Sequence, residues 1–143
     1  MRVEFHTDVA DPLAFACRLL RKAYRSGAKV AVYAPSATLT RLDQQLWSFE
    51  AREFIPHARW SGAPRQRGLE RTPIWLVAPG VAPPPCEIAV NLALDDLGAF
   101  EPFVRVIEIV SNEAQELQAA RRRWREHRER GAEIEHHAHA GGA

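Results

Sequence analysis

The sequence predicts an α/β fold with a mostly parallel sheet of about five strands. Short apolar runs alternate along the chain with segments whose apolar residues recur every three or four positions, as in buried strands and amphipathic helices. A strand, a helix and a strand in this order imply a parallel pair, because the helix returns the chain to the starting edge of the sheet. The 143 residues contain no internal repeat and no dividing linker, so one domain is expected over residues 1–135.

The amino-terminal half carries the clearest structural signals. Residues 3–5 alternate in polarity, which predicts a first strand. Asp11 is a favoured helix cap and is followed by proline, so a first helix is expected from there to Gly27. The apolar run 29–34 predicts a second strand that is covered on both faces, and Thr38 can cap a second helix.

The second half is less regular. Residues 58–71 are rich in Pro, Gly and Arg, which predicts an exposed loop. Apolar runs at 74–77 and 87–92 predict a third and a fourth strand, and residues 100–110 predict a short helix that leads into a fifth. A long polar helix is then expected from a cap at Ser111 or Asn112 to Gly131, which follows the basic segment.

Composition and charge exclude several classes of protein. Nineteen Lys and Arg against eighteen Asp and Glu leave a formal charge of +1, too small for capture of nucleic acid by overall charge. The arginines are uneven, however, because six of them crowd residues 121–130. No apolar run approaches the roughly 18 residues of a membrane span and no signal sequence is visible, so a cytoplasmic protein without a membrane partner is expected.

Motifs for catalysis and for cofactor binding are absent from the sequence. No P-loop and no Gly-rich dinucleotide loop occurs, nor does a hydrolase or metalloprotease motif. Asp95 and Asp96 are best explained as a solvated turn, because aspartate favours turns. Cys17 and Cys86 belong to no zinc motif and are expected to be free, buried thiols. The sequence therefore predicts a protein that is not an enzyme and holds no cofactor.

The carboxyl end is rich in His, Gly and Ala. Residues 136–143 have too little apolar content to fold by themselves, so a flexible tail is expected. His136, His137 and His139 carry the commonest metal-binding side chain, but a flexible segment provides no preorganised geometry. A chance His-rich end is therefore the favoured interpretation, and no metal site is predicted.

Three motifs follow one another along the chain: LDQQLW at 42–47, FIPH at 54–57 and RRRWREHRERG at 121–131. In this order, and in a chain of this length, they resemble the chi subunit family of bacterial DNA polymerase III. Segments 23–30, 88–92 and 108–110 also match that family, and the resemblance extends over about residues 3–136.

The resemblance implies a three-layer α/β/α fold that looks like a dinucleotide-binding fold without the nucleotide site. It also implies a non-catalytic accessory subunit of the polymerase III holoenzyme, associated with the clamp loader. Two protein partners are implied, the psi subunit and the acidic carboxyl-terminal tail of the single-stranded-DNA-binding protein (SSB). Nucleic acid would then be met only indirectly.

A stripe near the chain end forms the first candidate site. Arg121, Trp124 and Arg128 are spaced by three and four residues, which places them on one side of a helix. Guanidinium groups bind carboxylates bidentately and an indole offers apolar area, so this stripe suits an acidic peptide. The alternative is that the tryptophan packs the helix onto the sheet while the arginines form a solvated face.

The resemblance places recognition of the SSB tail at Val110, Arg121 and Trp124. Where some relatives carry a lysine one turn before the arginine, this chain has Leu117. That difference puts one electrostatic contact in doubt and leaves Arg125 or Arg128 to replace it.

Phe54 is the main residue of the second candidate site. A large apolar residue beside an arginine-rich loop can stay exposed until a partner covers it. The resemblance places the psi contact around Phe54, with Trp47 and Ile55 nearby, and implies that a helicase-like protein can meet the same surface. Core packing explains Trp47 and Ile55 equally well. His57 could be a core histidine or stabilise a turn, and it is assigned no chemistry.

Two rival functions stay open at this point. Arginines between residues 52 and 71, with Trp60 among them, could contact phosphates and stack on a base. Together with the basic helix they would make the chain a direct single-stranded nucleic-acid-binding protein, although no RRM, KH or helix-turn-helix signal accompanies them. A nucleotide-dependent enzyme on a degenerate scaffold is the second rival, which fold alone could never establish.

Overall fold

The described residues form one parallel sheet with helices on both faces. The computed structural model describes residues 1–48, 54–62, 72–94 and 103–139. The elements in chain order are β1 (Arg2–Val9), α1 (Pro12–Ser26), β2 (Val30–Tyr33), α2 (Ser36–Ser48), β3 (His57–Trp60), β4 (Ile74–Val77), β5 (Ile88–Leu92), β6 (Arg105–Ser111), α3 (Ala114–Glu129) and β7 (Glu133–Ala138).

The sheet has the strand order β3-β4-β2-β5-β6-β1-β7, and every pair of neighbours is parallel. Strands β2 and β4 are buried along their whole length, because helices or other segments cover both faces of a parallel sheet. The predicted α/β fold with a mostly parallel sheet is confirmed. The described part holds seven strands instead of about five, and the two additional strands are the edges of the sheet.

One additional strand, β3, lies where an exposed loop is predicted. It pairs with β4, and the ring of Trp60 packs edge-on against Trp75 with centroids 5.0 Å apart. The prediction of an exposed loop from residue 58 is therefore wrong for the first three residues of that segment. A four-residue strand carries too little periodicity to be recognised, since pairing with β4 decides its conformation. Residues 63–71 of the predicted loop lie outside the described residues.

The other additional strand, β7, begins before the segment predicted as a flexible tail and runs into it. It pairs with β1, with Arg2 opposite Glu133 and Thr7 opposite Ala138. The prediction of a flexible tail from residue 136 is therefore wrong as far as Ala138, and residues 140–143 lie outside the described part. Only Ile134 of this strand packs against the core. Strand β7 is held in place by backbone hydrogen bonds to β1, and such bonds leave no apolar pattern in the sequence.

Helices α1 and α2 cover one face of the sheet and α3 covers the other, which confirms the predicted three layers. The buried side chains that α1 and α2 contribute to the first face are Ala16, Cys17, Leu20, Leu39, Leu42 and Leu46. On the second face, Ala120 of α3 packs in a separate cluster with Val3 and Phe5 of β1. Each fully buried leucine contributes about 1.5–3 kcal/mol, so the first face holds α2 firmly in place.

The first helix begins at the predicted cap. The Asp11 carboxylate accepts a hydrogen bond from the Ala14 N–H at 3.1 Å, and Pro12 stands in the first turn. Gly27 ends the helix with a positive φ of 81°, a conformation that glycine adopts without steric cost. A carboxylate therefore occupies the helix end at which dinucleotide-binding folds place a phosphate.

Other predictions are decided by burial or fall outside the described ranges. Cys17 and Cys86 are free, buried thiols as predicted, and burial raises the pKa of each to about 11. The short helix predicted before Phe103 and the turn at Asp95 and Asp96 lie outside the described residues. Among the helices in the described ranges, none has the length and apolar character that a bilayer crossing needs.

Candidate functional site

A buried carboxylate determines which side of α3 faces the sheet. Glu108 of β6 is fully buried, and its Oε1 accepts hydrogen bonds from Arg123 Nε at 3.1 Å and from Asn91 Nδ2 at 2.6 Å. Nε2 of His127 lies 3.2 Å from the other carboxylate oxygen. Because an ionised group in the interior must be paired, these contacts hold α3 in one rotational setting on the sheet.

The basic segment is therefore divided between the core and the surface. The alternative in which its arginines form a solvated face does not hold for Arg123, which is buried together with His127. A signal for this arrangement is present in the sequence, because the two residues are four apart and Glu108 interrupts an apolar strand. A carboxylate in such a strand requires a partner from the element that covers it.

Four arginines of α3 are exposed, namely Arg121, Arg122, Arg125 and Arg128. The first three line an open groove of about 680 Å³, together with Ala93, Arg123 and further residues of the helix. With about 100° between successive residues, Arg121 lies about 60° around the helix from Trp124. We call Arg121, Trp124, Arg125 and Arg128 the α3 surface. The arrangement brings Arg121 and Arg125 together at the groove and leaves Arg128 one turn further along.

Trp124 lies between the core and the surface. It is half-buried, with its ring centroid 4.9 Å from that of Phe5 and 5.8 Å from that of His136. The interpretation that this tryptophan packs the helix onto the sheet is therefore correct for the covered part of the indole. The remaining part is accessible on the same side of α3 as Arg121.

Val110 lies beneath the α3 surface and not on it. Its side chain is buried in the cluster that also contains Ala120, with Leu117 and Trp124 packed against that cluster. A residue so placed supports the helix from the sheet and is not available for direct contact with a peptide. Of the five residues predicted for tail recognition, four are accessible and Val110 is covered.

A second surface is formed by two aromatic side chains. Trp47 at the end of α2 and Phe54 are 58% and 59% exposed, and their ring centroids are 5.2 Å apart. We call them the aromatic pair. Two adjacent large apolar residues with more than half of their surface in water are unusual outside binding sites.

Ile55 and His57 flank the aromatic pair on the protein side. Ile55 is 1% exposed and belongs to the core, so it is not a contact residue. The His57 ring lies 4.9 Å from Trp47, with Nδ1 2.7 Å from the Ile55 carbonyl and Nε2 2.8 Å from the Asp43 carboxylate. The positioning role of His57 is not apparent from the sequence, since Asp43 and His57 are far apart along the chain.

Trp60, the aromatic residue of the rival nucleic-acid site, is held by contacts within the protein. The indole N–H of Trp60 donates a hydrogen bond to the Ala82 carbonyl at 2.9 Å, while Trp75 packs against the same ring. A ring held in this way is not presented for stacking on a base. Arg59 is exposed, and the arginines at 65, 67 and 71 lie outside the described residues.

A comparison with known proteins identifies the family. A family model described as DNA polymerase III chi subunit, HolC, matches residues 1–135. The chain belongs to this family. A DNA polymerase III subunit chi from Pseudomonas aeruginosa is 37% identical over 144 aligned positions, which cover 95% of each chain.

A solved structure shares the fold of this chi-family chain at low sequence identity. It is described as Mss116p DEAD-box helicase domain 2 bound to an RNA duplex, and it superposes with a TM-score of 0.60 at 12% identity. The match covers 96% of the chi-family chain and 63% of that chain. At this identity the similarity concerns the arrangement of strands and helices alone.

Two motifs of the chi family form one local structure in this chain. In LDQQLW, Leu42 and Leu46 are buried while Asp43 contacts His57 of the FIPH motif. The spacing of the first motif therefore directs its leucines into the core and Trp47 toward Phe54. The two motifs together build and support the aromatic pair.

Proposed function

We propose that this chi-family chain is a non-catalytic adaptor with two separate protein-binding surfaces. The α3 surface binds the acidic carboxyl-terminal tail of SSB, and the aromatic pair binds the psi subunit, which joins the chain to the clamp loader. The adaptor acts in the cytoplasm as part of DNA polymerase III and meets DNA through SSB. The observation that carries the proposal is the partly accessible indole of Trp124, which lies on the same side of α3 as the exposed Arg121 and Arg128.

Charge and shape support an acidic peptide at the α3 surface. Outward guanidinium groups at a groove can each bind a carboxylate through two parallel hydrogen bonds. The accessible part of Trp124 offers apolar contact to a hydrophobic residue beside those carboxylates. The groove is open and polar, which suits an extended peptide better than an enclosed small molecule.

The aromatic pair supports a partner with an apolar surface. Aromatic residues at the centre of an interface contribute most of its binding energy when a partner excludes water from them. His57 and the core beneath hold Trp47 in place, so little conformational entropy is lost when a partner covers the pair. A helicase-like protein that met the same two rings would compete with psi.

The two surfaces lie on opposite faces of the sheet, because α2 covers the face with α1 and α3 covers the other. Both partners can therefore be held at once. A capture experiment tests this: the immobilised chain, its Arg121→Ala variant and its Phe54→Ala variant are exposed to purified psi and SSB of the same bacterium. The wild type should retain both, and each variant should lose a different one. Loss of both partners in either folded variant would contradict two independent surfaces.

A further inference from the structure

The pairing of β7 with β1 assembles a histidine cluster that the sequence disperses over the two ends of the chain. Glu4 stands opposite Glu135 and His6 stands opposite His137 in the parallel register. Alternate residues of a strand point to the same face, so these four side chains share one face of the sheet edge. His139 follows β7 directly and returns to the same place, where its backbone N–H donates to the Thr7 carbonyl at 2.9 Å.

The imidazole rings of this cluster are in direct contact. Nδ1 of His6 lies 2.9 Å from Nε2 of His139, and the His6 ring stacks on His137 with centroids 5.0 Å apart and 17° between planes. Phe15 of α1 covers the rings of His6 and His139, each with a centroid distance of 5.1 Å. The cluster is therefore shielded on one side and open along the sheet edge.

Two carboxylates border the rings. One ligand atom each from Glu4, Glu135 and His137 lies within 4.8 Å of the others, and Nε2 of His137 is 3.5 Å from an oxygen of Glu135. Glu4 is already engaged, because its carboxylate bonds to Arg105 Nε at 2.5 Å. Glu135 is half-exposed and is the carboxylate that can turn toward an added cation.

The charge around the cluster is mixed. Arg105, Arg18 and Lys22 line the adjoining cleft of about 580 Å³, and Glu4 is the carboxylate in that lining. Glu135 adds a second carboxylate beside His137.

We propose that His6, His137 and His139, with the carboxylate of Glu135, bind one divalent transition-metal ion of the zinc class. Nitrogen ligands about 2.0–2.1 Å from a tetrahedral ion are roughly 3.3 Å apart, so the His6 and His139 nitrogens need to separate by only a few tenths of an ångström. The ligand atoms of His137 and Glu135 lie within 4.8 Å of Glu4 and would turn toward this nitrogen pair. The ion would join the last strand to the first. The flexible tail that disfavours a metal site in the sequence is, in this segment, an ordered strand with a fixed neighbour.

Calorimetric titration of the chelator-treated full chain with Zn²⁺ tests the site. The wild type should bind one ion per chain, and His6→Gln and His139→Ala should each weaken binding at least about tenfold. His136→Ala is the matched control, because its ring is on the opposite face, where Nε2 lies 2.7 Å from Thr7 Oγ1 and the ring meets Trp124. The control should bind Zn²⁺ with wild-type affinity.

The His6 variant separates a built site from a His-rich tail. Equal affinity in His6→Gln and the wild type, or no saturable binding by the wild type, would overturn the proposal. Zn²⁺ should also raise the melting temperature of the wild type and of His136→Ala, but not of His139→Ala. His139→Ala removes a ligand outside every helix and strand, so it keeps the test valid if His6→Gln fails to fold. A Zn²⁺-induced rise of the same size in His139→Ala would count equally against the site.

Discussion

The ring of Trp124 meets the ring of Phe5 at a centroid distance of 4.9 Å and an interplanar angle of 44°. This contact joins the outer part of α3 to the first strand of the sheet, because Phe5 is itself fully buried. The indole therefore has a covered side that fixes its orientation and an accessible side beside Arg121. Packing on the sheet uses one part of this side chain, and the proposed peptide recognition uses the other.

Replacing Trp124 should affect both stability and peptide binding. Trp124→Ala should lower the free energy of unfolding by about 2 kcal/mol, less than the 3–5 kcal/mol typical of a fully buried tryptophan. Trp124→Phe should keep most of the stability, because a smaller ring can still pack on Phe5. Urea denaturation measures the first effect, and titration with an SSB-tail peptide measures the loss of apolar contact. Wild-type stability in the alanine variant would show that the Phe5 contact contributes little.

Two arginines on the same helix should respond in opposite ways. Arg123→Ala leaves the Glu108 carboxylate without its ion-pair partner and should destabilise the fold by about 3–5 kcal/mol. Arg121→Ala removes an exposed side chain and should change stability by no more than about 0.5 kcal/mol. Urea denaturation of both variants at pH 7 checks the difference. Similar losses in the two would mean that the buried contact to Glu108 is not the one that holds α3.

Phe54→Ala should release psi and leave the fold unchanged. The side chain is 59% exposed, so its truncation should alter the free energy of unfolding by about 0.5 kcal/mol or less. Its loss from an interface should weaken psi binding by about 2 kcal/mol, roughly thirtyfold. Val104→Ala is the control, since Val104 is 68% exposed directly before β6, three strands away from β4 and four from β3 in the sheet. Weakening by both variants to the same extent would argue against a site at Phe54.

Stability of the metal-free protein should fall as the pH is lowered from about 6.5 to about 4. Burial lowers the pKa of His6 from 6.5 to about 4, so the unfolded chain binds more protons than the folded chain in this window. Protonation of His6 would place a charge beside Arg105, His137 and His139, with Glu4 as the opposing anion. Chemical denaturation in a chelator, compared with His6→Gln, measures this contribution.

For His6→Gln, the free energy of unfolding should depend less steeply on pH between about 6.5 and about 4 than it does for the wild type. Below pH 4.5 a second loss is expected in both proteins, because Arg105 holds the pKa of Glu4 below its ordinary value even though burial alone would raise it. Identical curves for the wild type and His6→Gln above pH 4.5 would contradict the assignment to His6.

Sequence patterns predict the centre of this fold and not its edges. The apolar run 29–34 and the Asp11 cap report burial and backbone geometry directly, so β2 and α1 lie where they are expected. Strands β3 and β7 are set by hydrogen bonds to β4 and β1, and such pairing between distant segments leaves no periodic signal in a short polar sequence. The histidine cluster cannot be recognised from the sequence for the same reason, because it forms only when β7 pairs with β1.

The candidate surfaces are predictable in part. Spacing along α3 places Arg121, Trp124 and Arg128 on one side, and the structure agrees with that placement. Spacing alone does not show that Arg123 turns inward, because this depends on Glu108 in another element. For Ile55 and Val110, sequence proximity to a site does not distinguish a contact residue from the core beneath it.

The most direct test of the adaptor proposal is the affinity of a synthetic SSB-tail peptide for Arg121→Ala, measured at moderate salt beside the wild type and Arg25→Ala. Arg25 is an exposed arginine in the last turn of α1, on the opposite face of the sheet, so its removal controls for the loss of one positive charge. The account predicts at least about tenfold weaker binding by Arg121→Ala and wild-type binding by Arg25→Ala. Equal affinity in all three folded proteins would contradict it.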